Sequence, residues 1–142
     1  MTDTLDRFLK AQEHTYSAAL REIRAGQKES HWMWFIFPQM RGLGMSAMAY
    51  IYGITDRAEA EAYLAHPLLS ARLHEITEAL LTLDESNPNM IFGEIDAMKL
   101  RSSMTLFAAV SEDASVFHAA LDKFFGGRMD QRTLELLGDT EK

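Results

Sequence analysis

The chain contains no cysteine. That absence excludes a disulfide framework, a thiolate nucleophile and a thiolate zinc site, and it suits a reducing compartment. Proline is scarce, with 3 in 142 residues, and no segment is repetitive or biased in composition, which argues against a disordered tether. No apolar run approaches the ~20 residues that a membrane-spanning helix needs. The start, Met1-Thr2-Asp3-Thr4-Leu5-Asp6, lacks the basic stretch and apolar core of an export signal. The expected location is therefore the cytoplasm, with no membrane partner. Positive charge is also short: 14 Lys and Arg face 21 Asp and Glu, for a formal charge of -7. Such a field repels phosphate backbones, and no basic stripe interleaved with aromatics offsets it, so no nucleic-acid partner is expected.

What is present reads as an ordinary globular domain. Hydrophobic residues make up 47% and charged residues 25%, enough for a chain of this length to bury a core without staples. A single domain over 1–142 is expected, with its core at about 5–137. Apolar residues at Leu5, Phe8, Leu9, Tyr16, Ala19, Leu20 and Ile23 have the spacing of one helical face, with Asp3 as N-cap and Gly26 as stop. Gln12 falls inside that apolar arc, so it should be buried and hydrogen-bonded.

The run Trp32 to Phe37 is apolar throughout and hence enclosed. A short helix of one or two turns, capped by Ser30, is favoured over an extended segment, because Phe37 before Pro38 must leave the helical region. A glycine loop, Met40 to Ser46, then feeds a helix from Ala47 to Tyr52 that Gly53 closes. Asp56 with Glu59 reads as a capping pair for a helix through Ala65. Pro67 opens another, whose buried face carries Leu69, Leu73, Ile76, Leu80 and Leu83 and which ends near Asn87-Pro88. Asp96 is expected to open a helix to about Val110, Ser115 to cap one through Phe125, and Asp130 to precede a last short one. Recurrent helical faces without an alternating strand pattern give an all-α fold class: a single, mostly helical, orthogonal multi-helix domain with one tightly buried aromatic segment.

Chemistry could concentrate in two places. On the helix from Asp96, a projection of about 100° per residue puts Lys99 and Ser103 among Leu100, Met104, Leu106, Phe107 and Val110, with Arg101 and Thr105 facing solvent. An ammonium on a core-facing side needs a carboxylate or a wet cleft, and Asp96 is the nearest partner. The second place is the segment around the glycine loop, where Lys28, Ser30, His31, Trp32, Trp34, Gln39 and Arg41 combine aromatic walls with a few polar groups, as pockets for planar ligands do. Gly42-x-Gly44 before a helix could cradle an anion, although the full phosphate-binding fingerprint is missing. No histidine has a partner at metal-ligand spacing, so no metal is expected, and no nucleophile-elbow glycines flank Ser102-Ser103.

Specific strings carry a resemblance. Lys28-x-Ser30-His31-Trp32-Met33-Trp34-Phe35-Ile36-Phe37-Pro38-Gln39, Gly42-Leu43-Gly44, His66-Pro67, Ile91-Phe92-Gly93, and Asp96 with Lys99-Leu100 and Ser102-Ser103-Met104-Thr105-Leu106-Phe107 resemble a bacterial domain-of-unknown-function family numbered 1810. The likeness runs from about Leu5 to Leu137. It implies a mostly helical fold and no established activity. Members of the family often carry the label calpastatin, yet calpastatin resembles a disordered, proline- and lysine-rich repeat inhibitor, which this acidic, unrepeated chain does not. The resemblance also implies that the polar signature positions Lys28, Ser30, His31, Gln39, Asp96, Lys99, Ser102 and Ser103 form a site.

Two functional readings stay open. One is a small-molecule site, with or without catalysis, where Lys99 and Arg41 neutralise an anion and Trp32 or Trp34 packs on a planar group; its residues are Lys28, Ser30, His31, Trp32, Gln39, Arg41, Asp96, Lys99 and Ser103. Lys99 and Ser103 are expected to share a polar pocket with His31 or Arg41. The other is a protein-binding or inhibitory module working through an exposed apolar patch. Neither assigns a cofactor or an oligomeric state.

Overall fold

A computed structural model describes residues 5–138 of the chain; the Asp3 cap lies outside them. The described residues form ten helices: α1 Asp6–Glu13, α2 Tyr16–Arg24, α3 Met33–Ile36, α4 Ala47–Tyr52, α5 Arg57–Ala65, α6 Pro67–Leu81, α7 Pro88–Phe92, α8 Glu94–Val110, α9 Ser115–Phe125 and α10 Gln131–Leu137. The fold is all-α. Extended pairing among the described residues is limited to one isolated parallel bridge between Met40 and Ile54. No described helix is long and apolar enough to cross a membrane.

The centre of the molecule is α8, which packs against α5, α7, α9 and α10. From Leu100 on it is buried nearly all round, since Leu100, Met104, Leu106, Phe107 and Ala108 are joined inside by Ser102, Ser103 and Thr105, while its first turns keep an exposed flank at Ile95 and Met98. Of Thr105 and Arg101, both expected to face solvent, Thr105 is fully buried and Arg101 is half-buried. The Thr105 hydroxyl donates to the Arg101 carbonyl at 2.8 Å and accepts from the Asp130 amide at 2.8 Å. Arg101 donates to the Arg128 and Met129 carbonyls at 2.9 and 2.7 Å. The loop before α10 covers this side of α8 at Arg101 and Thr105, and the apolar arc alone could not reveal that covering.

The expected first helix is two. It breaks at His14, and Thr15 N donates to the Gln12 carbonyl at 3.1 Å. The break lets α1 pack on α3 while α2 packs on α6. Neither Gly nor Pro marks the site, so the periodicity ran across it. Three expected caps also act differently. Ser30 does not cap α3, which begins at Met33 after Trp32, because its hydroxyl donates to Glu22 instead. Asp96 lies in the first turn of α8, whose N-cap is Gly93 at φ 82° and ψ 163°, a left-side conformation that glycine tolerates. Ser115 is the first residue of α9 after Ala114 and binds Asp113. The caps at Asp56 and Asp130 stand, each accepting from the amide three residues on, and Ser46, for which no cap was expected, caps α4 in the same way.

Helix α6 ends at Leu81, short of the expected Asn87-Pro88 boundary, and Leu83 lies half-buried beyond it. Lys123 from α9 explains the stop, since its ammonium collects the carbonyls of Leu80 and Leu81 at 3.2 Å each and that of Leu83. A cation there satisfies orphan carbonyls and complements the helix dipole.

Candidate functional site

The segment after α2 is organised by a carboxylate. Glu22, only 8% exposed, accepts from the Glu29 amide at 2.8 Å, the Ser30 amide at 3.0 Å, the Ser30 hydroxyl and the Trp32 indole Nε1 at 2.9 Å. Burial alone would raise its carboxyl, but these donors outweigh burial, the Ser30 hydroxyl first, and hold it down at about 2. With the Lys28 amide bonded to the Ile91 carbonyl at 2.8 Å, the segment is clamped between α2 and α7.

That clamp aims Lys28 at the first turn of α8. Lys28 Nζ lies 3.0 Å from Asp96 Oδ2, and Lys99 Nζ lies 3.3 Å from Asp96 Oδ1. Each ammonium also sits over an indole: Lys28 is 5.0 Å from the centre of Trp32 and Lys99 is 4.8 Å from that of Trp34, a geometry that favours cations over aromatic faces. Two lysines thus share one carboxylate. The expected partnership of Lys99 with Asp96 is present, and Lys28 is a third member that sequence spacing could not supply.

Lys99 opens onto a cleft of about 430 Å³ between the glycine loop and the exposed flank of α8. The helical spacing of Ile95, Met98, Lys99 and Ser102 puts these four on one wall, and Gln39, Leu43 and Gly44 form the other. Arg101 and Asp130 complete the lining. The loop wall is fixed by the bridge, in which Ile54 N donates to the Gln39 carbonyl and Arg41 N to the Ile54 carbonyl, both at 2.8 Å. The Gln39 side-chain amide, by contrast, has no hydrogen-bond partner among the described residues. Gln39 and Gly44 also border a much smaller hollow beneath Trp34.

Several expected members lie elsewhere. Ser103 is fully buried and its hydroxyl has no partner among the described residues, so Ser102 takes the position in the cleft. One residue along a helix turns the side chain by about 100°, and the apolar arc was too broad to tell the two apart. His31 is exposed and lines none of the described clefts. Arg41 turns onto α4, donating to the Tyr50 carbonyl at 2.9 Å and stacking 4.2 Å from the Tyr50 ring centre. The shared pocket of Lys99 and Ser103 with His31 or Arg41 is therefore not formed. Trp32 is wholly buried against Phe37 and Phe92, which leaves it no face for a planar ligand, and Lys99 covers one face of Trp34.

A wider cleft of about 680 Å³ runs between α5, α6 and the end of α8, walled by Glu61, Glu112, Asp113 and His74. None of the sequence candidates lines it. Among the described residues no group of three or more His, Asp or Glu side chains is placed to hold a metal ion.

Comparison with known proteins gives a family and a fold. Residues 2–137 match the family described as "Protein of unknown function (DUF1810)". No curated protein matches the chain. The crystal structure of the conserved hypothetical protein Rv1873 from Mycobacterium tuberculosis, at 1.38 Å, is similar with a TM-score of 0.93 and 48% identity, over 96% of this chain and 97% of that one.

Proposed function

Because the chain belongs to this family of unknown function, whose description names no chemistry, we propose from the geometry that it binds a small molecule in the cleft between the glycine loop and α8. The observation that carries the reading is the combination at that cleft of an apolar strip, Leu43, Ile95 and Met98, with the Lys99 ammonium and the unpartnered Gln39 amide. Concave sites with an apolar lining and a few fixed polar groups are where small ligands gain both burial and orientation. The ligand is accordingly a molecule with an apolar body and one polar end. A melting screen against compound classes tests this, since a ligand that prefers the folded state raises the midpoint. Raised midpoints that vanish in Met98→Asp support the reading, and a screen without such hits defeats it.

A second reading is a protein-binding module, favoured by one observation: Ile95 and Met98 on the cleft rim are 71% and 69% exposed, and Met45 on the adjoining loop is fully exposed. Exposed apolar residues in one neighbourhood suit a partner surface. The two readings separate experimentally. A small-molecule site loses binding in Lys99→Met as well as in Met98→Asp, whereas an apolar protein interface responds to Met98→Asp and Ile95→Asp and is indifferent to Lys99→Met.

A further inference from the structure

The charges around the cleft narrow the ligand's polar end. Lys28 and Lys99 share the single Asp96 carboxylate at 3.0 and 3.3 Å, so this trio carries one positive charge in excess. Arg101, engaged by the Arg128 and Met129 carbonyls, and Asp130 line the same cleft with one charge of each sign, so the two cancel in its formal charge. The lining therefore presents one uncompensated positive charge, located at Lys99. Gln39 lines the same cleft, with its backbone pinned by the bridge and a side-chain amide that can donate without giving up another bond.

A single cation with one amide donor matches a monoanion that accepts through two oxygens. It does not match a phosphate dianion, which would meet one offset arginine and the Asp130 carboxylate. Nor does the glycine loop supply a phosphate cradle, because α4 is six residues long and its cap is already closed by Ser46 accepting from Ala49 N at 3.1 Å.

Resting on the small-molecule reading above, we infer that the ligand is a monocarboxylic acid with an apolar tail. Its carboxylate lies between Lys99 Nζ and Gln39 Nε2, and its tail runs along Leu43, Ile95 and Met98.

Hexanoate, octanoate, hexylamine, hexanol and inorganic phosphate are titrated against the labelled full chain, following the Gln39 side-chain amide and the Met98 methyl by NMR. Hexanoate and octanoate are expected to shift both signals, with binding about fourfold tighter for each methylene that reaches the apolar wall. Hexylamine and phosphate are expected to shift neither. Lys99→Met should weaken octanoate at least about tenfold while Lys99→Arg retains it. Met98→Asp, at an exposed position, should do the same by opposing the tail without touching the charge trio. Hexanol or hexylamine binding as well as hexanoate, or an unchanged octanoate affinity in Lys99→Met, overturns the carboxylate while leaving a small-molecule cleft. If neither these probes nor any compound of the melting screen moves the cleft signals, the cleft reading falls with it.

Discussion

Lys28 Nζ lies 3.0 Å from Asp96 Oδ2, so the loop after α2 is fastened to the first turn of the central helix by a lysine whose side chain is only 8% exposed. The pair is unequal in its dependence. Removing Lys28 leaves Asp96 with Lys99, whereas removing the Asp96 charge leaves an enclosed ammonium beside a second one. Lys28→Met should cost about 1 kcal/mol and Asp96→Asn about 2–3 kcal/mol, by the penalty for orphaning a buried charge. Urea denaturation of both variants checks the order, and equal costs would show that Lys28 does not depend on Asp96.

Gln12 ties α1 to three other helices, α3, α5 and α6. Its Nε2 donates to the Phe35 carbonyl at 2.8 Å and the Tyr63 hydroxyl at 3.1 Å, and its Oε1 accepts from Arg72 Nη1 at 3.2 Å. Gln12→Leu keeps the volume but strands these partners, and it should destabilise the fold by about 1–3 kcal/mol. A neutral variant in thermal melting would mean that Tyr63 and Phe35 find other partners at little cost.

The Glu22 carboxyl gives a pH dependence with a definite sign. Burial pushes it up, but the donors from Ser30, Glu29 and Trp32 pull it below its ordinary 4.5 to about 2. A group depressed on folding stabilises the folded state above its unfolded value, and that contribution is lost as pH falls through the folded value. Stability should therefore decline as pH falls from about 5 toward 2, and Glu22→Gln should flatten this part of the profile. Parallel profiles for the two proteins, from denaturation midpoints at several pH values, would place the acid sensitivity elsewhere.

Much of this was legible because local chemistry decided it. Gln12 announced itself as a polar residue in an apolar arc, and its burial at 1% follows from that position. Caps at Asp56 and Asp130 follow from side chains that reach the third amide on. Pro38 limits the enclosed run from Trp32 to a short helix, and α3 is four residues long. What sequence could not show were relations across the chain. Lys28 reaching Asp96, Lys123 ending α6, and the loop at Arg128 covering Thr105 each join residues far apart, and no periodicity records such distances. Gly93-x-x-Asp96 and Gly127-x-x-Asp130 make the same point, since the glycine caps in the first string and the aspartate in the second.

Gly53 is constrained by space. Its φ of -66° suits any residue, yet a Cβ there would fall 2.7 Å from the Arg41 Cα and 2.8 Å from the Ala49 carbonyl oxygen. These are backbone atoms and cannot swing aside. Gly53→Ala should separate the strands of chain around the Met40–Ile54 bridge, at a cost of about 1–3 kcal/mol, and the Gln39 backbone amide region should shift in NMR spectra. An unshifted spectrum would mean that the loop relaxes without disturbing the cleft wall.

Two hydroxyls run against the rule that buried polar groups are satisfied. Ser103 Oγ on α8 and Thr77 Oγ1 on α6 are fully enclosed and have no hydrogen-bond partner among the described residues. A hydroxyl taken from water without a partner carries its desolvation cost uncompensated. Thr77→Val exchanges that hydroxyl for a methyl of nearly the same shape, and should stabilise the fold by about 1 kcal/mol. Ser103→Ala leaves a small void in place of the oxygen, so the two terms should nearly cancel. The pair also bears on the site, because Ser103 is next to Ser102, whose hydroxyl lies 3.2 Å from the Met98 carbonyl and 3.3 Å from Asp130 Oδ2 at the cleft. Ser103→Ala should leave octanoate binding untouched, while Ser102→Ala should alter the cleft signals. A marked loss of stability in both Thr77→Val and Ser103→Ala, measured by chemical denaturation, would show that these hydroxyls are bonded in solution, and loss of binding in Ser103→Ala would return that residue to the site.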